Sequence, residues 1–190
     1  MEMAGRFGLA AVLLIFMLLP GMVLAGEGGF SSPERLGLGL TFGHSYDPSP
    51  TFGFMQVTGL LQYDYDRLWP HPAPEPLYFK VEGSLGLVDY EGNNRLLGSA
   101  NILAQYYLTA KAARWRPYAE AGIGLIYSDF QVEGQGLRVN FNPQAGIGCD
   151  YDSGSAVWYG NFRIHHLSNG ELYHDNRGVN SVLVQFGRYF

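Results

Sequence analysis

A period of two runs along this chain from Leu36 to Phe190 and leaves few folds open to it. Leu36, Leu38, Leu40 and Phe42 alternate with Gly37, Gly39, Thr41 and Gly43. Met55, Val57, Leu61 and Tyr63 alternate with Gln56, Thr58, Gln62 and Asp64. The pattern recurs from Leu77 to Leu87 against Lys80, Glu82 and Ser84. It recurs from Leu96 to Tyr106 against Ser99, Asn101 and Gln105, and from Ala119 to Tyr127 against Glu120, Gly122 and Ser128. Three more segments follow: Val139 to Cys149 against Asn140, Asn142 and Gln144; Trp158 to Ile164 against Tyr159, Asn161, Arg163 and His165; and Val182 to Phe190 against Ser181, Gln185 and Gly187. Side chains of a strand alternate between its faces, so each segment reads as a strand with one apolar face. There are about eight, each near the length a tilted bilayer-crossing strand needs. Turn-forming stretches such as "SYDPSP", "WPHPAPEP", "YEGNN" and "DYDSGS" separate them.

The chemistry of the second face decides between a soluble and a membrane barrel. It carries Lys80, Glu82, Asn101, Glu120, Asn140, Asn142, Gln144, Arg163, His165 and Gln185. Opposite charges and amides can satisfy one another inside a narrow barrel that side chains fill, whereas the other face carries almost no charge. A soluble barrel would turn its apolar face inward. The reading is therefore all-β: an eight-stranded antiparallel transmembrane β-barrel of the bacterial outer membrane. Tyr63, Tyr65, Tyr106 and Tyr127 fall near strand ends, where interface girdles sit. The last strand ends on Phe190 in phase with Phe186, Val184 and Val182, with Arg188 breaking the run.

The first residues agree with that destination. Arg6 precedes an apolar run from Gly8 to Leu19, Pro20 and Gly21 end it, and Val23-Leu24-Ala25 suits signal peptidase. Residues 1–25 are expected to be a signal peptide and 26–190 one barrel domain. A formal net charge of −5 argues against a nucleic-acid partner. One cysteine, Cys149, precludes an internal disulfide. His44, His71 and His174 fall in loops without metal-ligand spacing, so neither a metal nor another cofactor is expected.

One polar group interrupts the apolar face. Trp158, Phe162, Ile164, His166 and Ser168 share one side of the seventh strand, so His166 and Ser168 point outward. If the next turn centres on His174, Ser168 faces Asn180, His166 faces Val182, and Asn180 shares the outward side. A secretory leader starts the chain in the periplasm, and an even strand count brings it back there, so this patch lies at the external end. An imidazole can take the proton of a serine hydroxyl, and a third group can fix its tautomer. An asparagine carbonyl serves in that third place without adding charge. The backbone N–H groups of Asn169 and Gly170 are candidate oxyanion donors. Taken alone, a His-x-Ser pair carries little signal for catalysis: His166 reads as a headgroup contact, and Ser168 and Asn169 as the start of a turn. His165 points inward, as a satisfied interior residue.

The stretch "FRIHHLSNGELYHDNRGVNS" resembles the motif region of the lipid A 3-O-deacylase (PagL) family. The match lies in His166, Leu167, Ser168 and Asn169, then Asn176, Gly178 and Asn180. The resemblance implies an eight-stranded outer-membrane barrel with its active site on the outer wall. It implies hydrolysis of the ester-linked acyl chain at the 3-position of lipid A in lipopolysaccharide, with Ser168 as nucleophile and His166 as base. One position departs: the family's glutamate, twelve residues after the serine, is Asn180 here. Glu171 and Asp175 are nearby carboxylates, but both lie in the expected turn. Outer-membrane phospholipase A has a similar His-x-Ser pair with an asparagine twelve residues on, so Asn180 is compatible with serine esterase chemistry. A phospholipase-type esterase and a non-catalytic structural or adhesion barrel are the alternatives. A homodimer is compatible with either an enzyme or a structural barrel.

Overall fold

The computed structural model describes residues 32–65 and 73–190, so the expected cleavage after Ala25 and His71 lie outside the described residues. The strands are β1 (Arg35–Asp47), β2 (Gly53–Asp64), β3 (Leu77–Tyr90), β4 (Asn93–Tyr107) and β5 (Trp115–Ser128). They continue as β6 (Val139–Phe141), β7 (Gln144–Asp152), β8 (Val157–Leu167) and β9 (Val179–Tyr189). Each pairs antiparallel with its neighbour, and the β1–β9 pairing closes the ring. β6 and β7 both pair with β5 and form a single stave, so the nine segments make an eight-stranded closed barrel. The stave breaks at Asn142 and Pro143, because proline has no N–H for a ladder. Asn142 N–H still donates to Gly124 O (2.9 Å), and Pro143 O accepts from His166 N–H (3.0 Å).

The expected parity holds around the ring. Lys80, Glu82, Asn101, Glu120, Asn140, Asn142, Gln144, Arg163, His165 and Gln185 are all buried in the interior. Leu38, Val57, Ile102, Ile123, Ile164 and Val184 stand on the outer wall, each about half exposed (50–53%). Such a wall is stable only against hydrocarbon; in water it would be one continuous apolar patch. Inside, Arg163 grips Glu82 with two hydrogen bonds (2.7 and 2.8 Å) and reaches Glu120 through Nε (2.6 Å). Lys80 pairs with the same two carboxylates. Two cations thus balance two anions, which is what makes complete burial of all four tolerable. Beside them, Thr41, Glu82, Asn142 and Arg163 help line a void of only about 20 Å³, so side chains fill this level of the barrel.

Two interior features depart from the alternation. At the end carrying the loops 48–52, 91–92, 129–138 and 168–178, the interior is apolar. Phe52, Phe54, Val88, Leu97, Ile126, Phe130, Leu167, Val179 and Leu183 cluster there. At the opposite end, where the chain terminates, tyrosines fill the space: Tyr78, Tyr107 and Tyr118 form one cluster, Tyr159 and Tyr189 another with Leu60. Of the four tyrosines expected at the interfaces, Tyr106 is exposed, while Tyr63 and Tyr127 are buried. The exposed aromatics near the terminal end are Tyr106, Trp115, Trp158 and Phe190. Arg188, the residue that broke the last strand's phase, lies between the rings of Trp158 and Phe190 (6.0 and 5.2 Å), with its charge at the rim.

Candidate active site

β8 presents its outward residues in order: Trp158, Phe162, Ile164, His166. Ser168 follows just beyond the last paired residue. Leu167 and Val179 lie opposite one another and point inward, into the apolar cluster. His166 and Ser168 are both partly exposed on the outer side, between the buried residues His165, Leu167 and Asn169. The expected outward placement of the pair is what the structure has. Ser168 does not continue the β8–β9 ladder. It turns to β6 instead, where its carbonyl accepts from Phe141 N–H (2.8 Å) and its N–H donates to Phe141 O (3.2 Å).

The register differs from the expected one by two residues. His166 lies directly opposite Asn180, and Val182 faces Ile164. The turn therefore centres on Tyr173, not His174. A shift of two preserves every face while changing every partner. Here it brings the two side chains together: His166 Nδ1 and Asn180 Oδ1 are 2.7 Å apart. No hydrogen bond joins Ser168 Oγ to the ring. The imidazole rests against Gly178, where any Cβ would overlap Cε1 and crowd Nε2, so glycine leaves the space the ring occupies.

Asn180 makes a second contact that the alternation hid. Its Nδ2 donates to Asp47 Oδ2 at 2.9 Å. Counting by twos along β1 puts Asp47 on the inner side with Thr41 and Ser45. The β1–β9 register slips between Ser45 and Asp47: Ser45 pairs with Ser181, Asp47 with Asn180, and Tyr46 is left over. That bulge turns Asp47 to the outer face, as bulges re-aim side chains near functional sites. Asp47 had no sequence signal beyond its place before "PSP" at a strand end.

The two residues considered for the oxyanion are placed differently. Asn169 N–H donates to Asn176 Oδ1 (2.8 Å), and its side-chain amide donates to Asp175 O (2.8 Å), so both donors hold the loop together. Gly170 has a positive φ of 62°, which suits glycine, and lies beside the Phe141 ring. Loop 168–178 is pinned from its other side by loop 129–138. Gly136 N–H donates to Asp175 O and Arg177 N–H to Gly134 O, both at 2.8 Å. Glu171 is exposed in the loop, as is Asp175, whose side chain meets His174 (3.3 Å). Among the described residues no group of three His, Cys, Asp or Glu side chains is arranged to hold a metal.

A family model for lipid A 3-O-deacylase (PagL) matches residues 57–188. The chain belongs to the lipid A 3-O-deacylase (PagL) family. The crystal structure of the outer-membrane enzyme PagL superposes with a TM-score of 0.57 at 22% identity, covering 80% of this chain and 97% of that one. Neisserial surface protein A superposes with a TM-score of 0.62 at 12% identity, covering 82% and 94%. At these identities the likeness is one of fold, and two such barrels superpose equally well whatever their outer walls carry. No curated protein matches the chain in sequence.

Proposed function

We propose that this barrel is an outer-membrane lipid A 3-O-deacylase working as a serine esterase, with Ser168 as nucleophile, His166 as general base and Asn180 as the group that orients the imidazole. The observation that carries this reading is the 2.7 Å contact between His166 and Asn180 on the apolar outer wall, with Ser168 on the same side two residues on. A polar cluster facing hydrocarbon needs a reason, and a substrate that itself resides in the bilayer supplies one. Membership of the lipid A deacylase family supports lipid A as that substrate. With residues 1–25 as an export signal, both chain ends lie in the periplasm and the site lies at the outer leaflet.

As Ser168 Oγ attacks the 3-linked ester carbonyl, its proton passes to His166 Nε2. The tetrahedral intermediate collapses by breaking the bond to the sugar oxygen, which leaves with that proton. Water repeats the sequence on the acyl-enzyme and releases a fatty acid. Backbone i and i+2 positions lie about 7 Å apart along a strand, a span that a serine and a histidine side chain bridge between them. Catalytic hydrogen bonds commonly close only once substrate is bound. Gly170 N–H is one candidate for the oxyanion; Asn169 N–H, which donates to Asn176 Oδ1, joins it only when Asn176 releases it. Ile164, Phe162 and Val184 continue the wall below the site and give the acyl chain an apolar track.

The test is to incubate the purified barrel with lipopolysaccharide and, separately, with phospholipid, and to read the products by mass. A 3-linked hydroxyacyl chain is released by the native protein, and Ser168→Ala reduces that release more than about a thousandfold. Lysophospholipid as the sole serine-dependent product would replace this reading with a phospholipase. No serine-dependent product from either would leave a non-catalytic barrel.

A further inference from the structure

The family's third catalytic member carries a charge, and Asn180 does not. A carboxylate is nevertheless present, one side chain further out. Asp47 accepts from Asn180 Nδ2 (2.9 Å), and Asn180 Oδ1 meets His166 Nδ1 (2.7 Å). We propose that Asp47 is a positioning residue which, by fixing the orientation of the Asn180 amide, holds His166 in the tautomer that can accept the Ser168 proton. The inference deepens the serine-esterase reading above and rests on it.

A primary amide can turn over with little steric change, exchanging its acceptor for its donors. An asparagine alone beside a histidine can therefore bind either tautomer. With Oδ1 toward the ring, Nδ1 carries the proton and Nε2 keeps a lone pair. With Nδ2 toward the ring, Nδ1 must accept, so the proton moves to Nε2 and the ring cannot act as base toward Ser168. A carboxylate removes the ambiguity because it only accepts. Asp47 requires Nδ2 on its own side, which leaves Oδ1 for His166. Its negative charge also polarises the amide and makes Oδ1 a stronger acceptor when the ring becomes imidazolium.

The backbone is shaped for this contact. Without the bulge that leaves Tyr46 unpaired, the regular pleat of β1 would turn residue 47 toward the lumen. Asp47, Asn180 and His166 lie on three adjacent strands, with Asp47 opposite Asn180 and Asn180 opposite His166, so one row across the outer wall carries the whole relay.

The experiment combines kinetics with a direct reading of the ring. The full barrel is labelled with ¹⁵N-histidine in detergent micelles, and His166 is assigned by its loss in His166→Gln. In the native protein His166 carries its proton on Nδ1; in Asp47→Ala a substantial fraction carries it on Nε2. Acyl release by Asp47→Ala falls about ten- to a hundredfold in kcat, the scale on which outer partners of metal-bound imidazoles act, while KM changes less than about threefold. Asp47→Asn keeps an acceptor without the charge and loses less. In an Asn180→Glu background the sign reverses. Two carboxylates then face each other, and Asp47→Ala raises kcat. An unaltered tautomer in Asp47→Ala, or an equal loss from Asp47→Ala in both backgrounds, overturns the proposal. If the native barrel releases no acyl chain from any lipid while the tautomer still depends on Asp47, the esterase reading falls and the positioning role stands.

Discussion

At the residue scale the site is built from ordinary side chains in a demanding arrangement. His166 is held by one hydrogen bond at Nδ1 and by van der Waals contact with a glycine. Gly178 bears directly on this, because its missing Cβ is where Cε1 of the ring lies. Gly178→Ala pushes the imidazole off that surface and lengthens its contact with Asn180. The expected result is a barrel that folds and inserts normally, as read by its shift in unheated electrophoresis, with acyl release down by about a hundredfold, the scale on which angstrom-sized displacements act. Normal release from this variant would show that the ring's seat on residue 178 is not required.

At the element scale two loops make one platform. Residues 129–138 and 168–178 pair through Gly136, Gln135, Asn176 and Arg177, and Phe141 binds the Ser168 backbone on both its donor and its acceptor. The Ser168 backbone is thus fixed from β6, not from its own hairpin partner. A valine at 136 would overlap Tyr173 and the Asp175 carbonyl. Gly136→Val should therefore undock the loops and leave the strands intact. Limited proteolysis checks this: cleavage within 168–178 becomes faster, β-content by circular dichroism stays the same, and acyl release drops. The bulge at Tyr46 is the second device of this scale, since it exports Asp47 from the lumen to the outer wall without any change of sequence parity elsewhere.

For the whole molecule, the outer wall can carry chemistry because the inside is filled. Apolar side chains pack the loop end directly beneath the site, charges balance at mid-height, and tyrosines fill the terminal end. The charge cluster is the least tolerant layer. Arg163→Met leaves two buried carboxylates facing Lys80 alone and should cost about 3–5 kcal/mol of stability. Adding Glu82→Gln restores neutrality and recovers part of that loss. Urea unfolding in lipid vesicles, followed by tryptophan fluorescence, measures both variants. A double variant no more stable than the single one would mean that charge balance is not what the cluster provides.

Much of this barrel follows from alternation alone. Charged and amide residues at one parity and aliphatic residues at the other define the wall and lumen, because a strand can satisfy both only by facing oil on one side. The outward placement of His166, Ser168 and Asn180 is legible for the same reason. What alternation leaves open is anything that a shift of two preserves or a single extra residue reverses. The pairing of His166 with Asn180 instead of Val182 depends on where the 168–178 loop closes, and that is set by its docking to β6 and to loop 129–138. Asp47 reaches the site only through a bulge in β1. The inward apolar cluster, Phe54 and Leu183 among it, breaks the polar-in rule because that end of the barrel is filled by side chains packed on one another. Local chain chemistry therefore determined which side the residues of the regular strands face, and contacts between segments far apart in sequence decided which residues meet and, at the β1 bulge, which way Asp47 points.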